Sequence, residues 1–267
     1  MYLTANGVRV HYQTWGRGRP VVLLHGFPLS GAMWRPQGEG LSERWQVVAP
    51  DFRGFGASDP PTGAMTLEDY ADDVLRVTDA LGLSRFVLGG LSMGGYVVFR
   101  VLAKAAGRVD AVILADTRAD PDTEEGRRRR FDGIARIERE GPEGFLADFT
   151  AALVGPTTRA YRTDVLEAVH SMACAAHPRG LTVALAAIAA RPDSRPLLSG
   201  LAVPVLVVVG EEDTVTPPDA ARAMAAAIPG ARLVVVPGAG HLANLERPEA
   251  FTAAVREFLA DLEARRT

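Results

Sequence analysis

The string Leu88-Gly89-Gly90-Leu91-Ser92-Met93-Gly94-Gly95 constrains this chain more than any other. Upstream of it, Phe86 to Leu88 is a short apolar run of the kind that makes a strand buried on both faces. Downstream, Gly94 to about Ala106 has the period of a helix. A chain that passes from buried strand to helix this quickly has to fold back tightly. Glycine at 90 and 94 removes the β-carbons that would collide in such a turn. Ser92, in the middle of Gly90-x-Ser92-x-Gly94, is then expected to be held under strain with its hydroxyl pushed beyond the sheet edge. The pattern alone recurs by chance, and the strand-turn-helix context gives it meaning. No Gly-Lys-Ser/Thr follows, which disfavours a phosphate-binding loop.

The rest of the chain repeats the same alternation. Tyr2 to Trp15 reads as a hairpin around Asn6-Gly7. Val21 to His25 and Trp45 to Pro50 are further buried strands. Thr66 opens a helix with Asp69 placed for a capping box, and Gly82 stops it. Val109 to Ala115, Pro204 to Val209 and Arg232 to Val236 are strands; Pro217 to Ile228 and Pro248 to Leu262 are helices. Strands alternating with helices imply an α/β protein, a mostly parallel sheet with helices on both faces. Between 118 and 201 the strand pattern vanishes and helical spacing takes over, with breakers at Gly141-Pro142, Gly155-Pro156, His177-Pro178 and Arg191-Pro192. The expected organisation is a core of 1–117 and 202–267 with a helical insertion, 118–201, acting as a lid. Within it, Arg127 to Arg130 reads as a solvated helix face.

A serine hydroxyl is a poor nucleophile and needs a base beside it. In a sheet that holds its serine at such a turn, an acid and then a histidine follow from loops after later strands. His241, in Gly238-Ala239-Gly240-His241, comes directly after the last strand and is the expected base. His11 lies in the hairpin, His170 and His177 in the insertion, and His25 is expected to hydrogen-bond under its own loop. Asp213 follows the preceding strand and is the expected acid; Glu211, Glu212 and Asp116 are rivals by position. Asp51 reads as a pin for the tight loop after Val47-Val48. Two N–H donors are needed where negative charge develops: Met93 supplies one, and Phe27, before the donor-less Pro28, the other.

Composition restricts the partners. A net charge of −3 offers no general attraction for nucleic acid or anionic membrane, and among the basic residues Lys104 is the only lysine. Cys174 is the single cysteine, so no intrachain disulfide can form, and it reads as a small buried hydrophobe. There is no apolar run of the ~20 residues that a membrane span requires, nor a leader pattern at Met1-Tyr2-Leu3-Thr4, so a cytoplasmic location is the expectation. No cofactor and no metal are expected.

Taken jointly, His25-Gly26-Phe27-Pro28, Asp51-x-Arg53-Gly54-x-Gly56-x-Ser58, Gly90-x-Ser92-x-Gly94-Gly95, Asp213 and Gly240-His241 resemble the α/β-hydrolase superfamily over nearly the whole chain. Gly89 to Tyr96, Ala115 to Arg118 and Ala190 to Ser194 look like its small bacterial carboxylesterases, with the 3-oxoadipate enol-lactonases as neighbours. The resemblance implies a carboxylesterase acting on a small-molecule ester of short to medium chain, through an acyl-enzyme on Ser92. An enol-lactonase is the alternative; its dicarboxylate substrate would need a cation, for which Arg118 is the candidate. Perhydrolase or haloperoxidase activity, carbon–carbon hydrolysis and a non-catalytic ligand receptor are further readings. Serine at position 92 argues against the dehalogenases and epoxide hydrolases of this fold, which use aspartate there. Phe27, Trp34 and Phe145 are candidate pocket walls.

Overall fold

The short apolar runs become strands of one sheet. In chain order they are β1 (Tyr2–Ala5), β2 (Val8–Trp15), β3 (Arg19–Leu24), β4 (Trp45–Pro50), β5 (Phe86–Leu91), β6 (Val109–Ala115), β7 (Val205–Gly210) and β8 (Arg232–Val236). The computed structural model describes residues 1–5 and 7–264, so of the hairpin turn Asn6-Gly7 the asparagine lies outside the described residues. The spatial order is β1-β2-β4-β3-β5-β6-β7-β8. β1 and β2 run antiparallel; from β4 to β8 every pairing is parallel. All six residues of β5 and of β7 are buried, as strands covered on both faces should be.

The helices in chain order are α1 (Arg35–Leu41), α2 (Leu67–Ala80), α3 (Met93–Ala105), α4 (Glu124–Glu140), α5 (Glu143–Leu153), α6 (Pro156–Tyr161), α7 (Thr163–Cys174), α8 (Pro178–Ala189), α9 (Arg195–Leu198), α10 (Pro218–Ala227), α11 (Ala243–Glu246) and α12 (Pro248–Ala264). α2 starts with the capping box expected of Thr66: Asp69 N–H donates to the Thr66 hydroxyl, and Thr66 N–H to the Asp69 carboxylate. α4 to α9 lie between β6 and β7, and all four anticipated breakers fall at helix boundaries, Pro156 and Pro178 as the first residues of α6 and α8. α1 is absent from the sequence reading, because Arg-Pro-Gln-Gly-Glu-Gly-Leu has two glycines and weak helix propensity. Tertiary contacts hold it instead: buried Gln37 donates to Asn244 O at 3.0 Å and Thr252 Oγ1 at 3.2 Å. Among the described residues, no single helix is long and apolar enough to cross a membrane.

Three expectations are corrected. Cys174 is exposed, because it falls on the outer face of α7. Trp34 is wholly buried against Phe251, with ring centroids 5.9 Å apart, and belongs to the core. Arg127 to Arg129 are solvated, but Arg130 turns inward on α4 and lines an internal chamber.

The strand order positions the site. From β3 the chain moves to β4 on one side and returns to β5 on the other, so the order reverses between β3 and β5. In open α/β sheets ligands bind beyond the carboxyl ends of strands at such a reversal. The loops leaving β3 and β5 carry Phe27 and Ser92.

Candidate active site

Ser92 joins β5 to α3 at φ 53° and ψ −116°, the left-handed region that side chains other than glycine rarely occupy. Glycine makes this turn possible. A β-carbon on Gly90 would run into the backbone of Gly94, and one on Gly94 into the carbonyls of Leu24 and His25. The turn is tied to its neighbours: Ser92 N–H donates to Ala115 O at 3.0 Å, and the Thr117 hydroxyl to Ser92 O at 2.8 Å.

His241 follows β8 in a buried loop, and its Nε2 lies 2.8 Å from Ser92 Oγ. Its Nδ1 lies 2.8 Å from Oδ2 of Asp213, in the loop after β7. Thus Ser92 meets two residues more than a hundred positions further along the chain, because all three loops leave the same edge of the sheet. Asp213 also accepts the amides of Val215 at 2.8 Å and Thr216 at 2.9 Å and the Thr216 hydroxyl at 2.6 Å. Burial pushes the Asp213 carboxyl up, but the charge and hydrogen bond of His241, with the Thr216 bonds, outweigh it and hold the group below the usual carboxylate range. An ionised carboxylate on Nδ1 fixes the tautomer in which Nε2 can accept a proton from a hydroxyl.

The rivals have other partners. Glu211 accepts Gly238 N–H at 3.2 Å, and Glu212 accepts the amide and hydroxyl of Thr157 in the insertion. Asp116, at φ 41° and the end of β6, accepts Gly210 N–H at 2.8 Å and Ala243 N–H at 3.4 Å. Burial, with the nearby Asp213 charge, drives its carboxyl well above the usual range. His25 accepts Phe52 N–H on Nε2 at 2.9 Å, with Nδ1 3.0 Å from Gly26 O, and burial lowers its pKa. Asp51 pins its loop by accepting Gly31 N–H at 2.8 Å and Ala57 N–H at 2.9 Å.

Met93 is the first residue of α3, where an amide has no acceptor within its own helix. Phe27 lies on the loop that brings Gly26 against Ser92. Both amides therefore belong to segments that flank the Ser92 hydroxyl.

Thr216 and Glu246 escaped sequence reasoning. Thr216 Oγ1 lies 3.2 Å from His241 Nδ1 as well as bonding Asp213; its spacing of three from the aspartate, the short-range pattern of Asp and Ser/Thr turns, was the available signal. Glu246, fully buried, accepts Leu242 N–H at 3.1 Å and Gly155 N–H at 2.8 Å, which ties the insertion to the histidine loop. Only the fold brings Gly155 there.

A chamber of ≈ 20 Å³ at Ser92 and His241 is walled by Phe27, Tyr96, Phe149, Leu153, Ile188, Val215 and Arg130. It adjoins an outer cavity of ≈ 440 Å³ beneath α4, whose lining includes Arg118, Asp122, Arg129, Phe145 and, again, Arg130, Phe149 and Val215.

An α/β sheet with a strained serine at its reversal point and a histidine and aspartate behind it defines a class of hydrolases. The chain belongs to the α/β-hydrolase family: the family model for the α/β-hydrolase fold matches residues 19–248. Among solved structures, a thermophilic esterase from Thermogutta terrifontis is 41% identical, with a TM-score of 0.93 over 98% of this chain and 97% of that one. The enol-lactonase from Burkholderia xenovorans LB400 is 31% identical, with a TM-score of 0.90 over 97% and 100%. A putative non-heme bromoperoxidase from Mycobacterium tuberculosis is 29% identical over 96% of this chain and 100% of its own length.

Proposed function

We propose that the chain is a carboxylesterase for short- to medium-chain acyl esters, with Ser92 as nucleophile, His241 as general base and Asp213 as the acid that orients it. The observation that carries the reading is the relay from Ser92 Oγ to His241 Nε2 and from His241 Nδ1 to Asp213, each link 2.8 Å. Ser92 Oγ attacks the ester carbonyl while its proton passes to Nε2. The oxyanion is held by the amides of Phe27 and Met93, each of which would supply roughly 3 kcal/mol of transition-state stabilisation. Collapse of the tetrahedral intermediate breaks the bond to the alcohol, which leaves with the proton from His241. Water then gives a proton to His241, attacks the acyl-enzyme and releases the acid, and Ser92 recovers its proton. Residues 118–201 act as a lid that narrows access to Ser92. The similarity to the T. terrifontis esterase supports this reading.

Enol-lactone hydrolysis is the second reading, favoured by the similarity to the B. xenovorans enzyme; it uses the same steps on a cyclic ester. A perhydrolase, with peroxide in place of water at the acyl-enzyme, would use the same residues and fits the bromoperoxidase relative. Stopped-flow hydrolysis of p-nitrophenyl butyrate tests the proposal. The expected result is a burst and steady turnover, abolished in a folded Ser92→Ala variant. A folded wild-type protein with neither burst nor turnover, or a Ser92→Ala variant with appreciable turnover, would sink it.

A further inference from the structure

Arg130 belongs to both cavities above Ser92, and three observations bear on what it does there. The first is space. The inner chamber, at ≈ 20 Å³, has room for little more than one water molecule. The outer cavity of ≈ 440 Å³, which shares Arg130, Phe149 and Val215 with the chamber, offers the rest of a substrate at Ser92 the space that the chamber lacks.

The second is charge. Asp122 lies 3.3 Å from Arg130 Nε, but it is shared with Arg191, whose Nη1 is 2.6 Å from the other oxygen and whose side chain is 3% exposed. One carboxylate between two guanidiniums leaves a net positive charge at the constriction. Arg118 and Arg129, farther out, carry their own acids, Asp120 at 3.0 Å and Glu125 at 3.5 Å.

The third is geometry. Asp122 holds Arg130 by Nε, and among the described residues the two Nη groups have no protein acceptor. Those groups are the end of a guanidinium that grips a carboxylate in bidentate fashion. The walls around it, Tyr96, Phe149 and Val215, are aromatic or apolar, and such surroundings strengthen a charged contact.

We propose that Arg130 recognises a carboxylate on the substrate, and that the preferred substrates are mono-esters of dicarboxylic acids. The inference rests on the esterase reading for its chemistry, while the anion site itself can be tested without turnover.

The test compares monomethyl glutarate with its neutral counterpart dimethyl glutarate, by pH-stat, in the wild-type protein and in Arg130→Gln and Arg130→Lys. The wild type should favour the mono-ester by about tenfold or more in kcat/KM, the worth of one charge-assisted contact. The preference should lie in KM, weaken in high salt, vanish in Arg130→Gln and survive in part in Arg130→Lys. Calorimetry should detect glutarate binding to the wild type, weakened about tenfold or more in Arg130→Gln. Hydrolysis of the neutral diester as efficiently as the mono-ester by the wild type overturns the proposal and leaves the esterase reading intact. Glutarate that fails to bind the wild type, or binds Arg130→Gln equally well, also overturns it. Arg130-dependent glutarate binding with hydrolysis of neither ester supports the anion site and removes the esterase reading instead.

Discussion

Two residues in the left-handed region end adjacent strands, Ser92 on β5 and Asp116 on β6, and both serve the same edge. Asp116 is a buried carboxyl that holds the loops leading to Asp213 and from His241 through the amides of Gly210 and Ala243. Its folded pKa is raised, so above the unfolded value near ~3.9 the native state keeps a proton that the unfolded chain has lost. Stability from this group is thus present below that value and declines as pH rises through the window up to the raised folded pKa. Asparagine mimics the neutral acid and carries no such proton. Melting curves of Asp116→Asn against wild type should therefore show the variant gaining relative stability from pH 4 toward 7; a constant difference would mean that Asp116 is ionised in the fold. Asp116→Asn should also keep its turnover within several-fold, while Asp213→Asn loses on the order of 10⁴-fold in kcat by supporting the wrong imidazole tautomer. The reverse ranking in p-nitrophenyl butyrate assays would transfer the acid's role to Asp116.

At the scale of elements, the turn between β5 and α3 is a packing problem solved by glycine. α3 crosses the end of β3 so closely that Gly94 touches the carbonyls of Leu24 and His25. Gly94→Ala would push these segments apart and should lower stability by about 1–3 kcal/mol, measured by urea denaturation. Because Phe27 and Met93 ride on the two segments, turnover should fall further than stability alone explains; unchanged kcat in a destabilised variant would argue against their amides as oxyanion donors. The insertion is fastened to the same edge. His241 N–H donates to Leu153 O at 2.9 Å, and Gly155 N–H donates to Glu246. The end of α5 is thereby bound to the histidine loop, while α4 covers the outer cavity from the other side.

Across the whole molecule, a buried ion pair ties the two ends of the insertion together and rests them on the core. Arg191 sits 4.6 Å over the ring of Tyr96 on α3, donates to Asp120 O at 2.9 Å and pairs with Asp122 before α4. Removing one partner of a buried pair strands the other charge. Asp122→Asn should cost about 3 kcal/mol or more, read from the denaturation midpoint. A loss below about 1 kcal/mol, the range of exposed pairs, would mean that water reaches Arg191.

Sequence alone determined the features that depend on neighbours along the chain. Buried runs such as Val21 to Leu24 are apolar throughout, Thr66 and Asp69 form their cap within one turn, and the glycines at 90 and 94 announce a strand-to-helix turn at Ser92. Chain order also ranked His241 and Asp213 first among the candidate partners, since their loops leave consecutive strands at the same edge. Tertiary structure decided what depends on contacts between distant segments. It sent Glu211, Glu212 and Asp116 to backbone amides, brought Gly155 to Glu246, held α1 through Gln37 and placed Cys174 outward. It also separated Arg130 from the solvated Arg127 to Arg129, because helical rotation turns one of four consecutive arginines inward and only the packing of α4 says which.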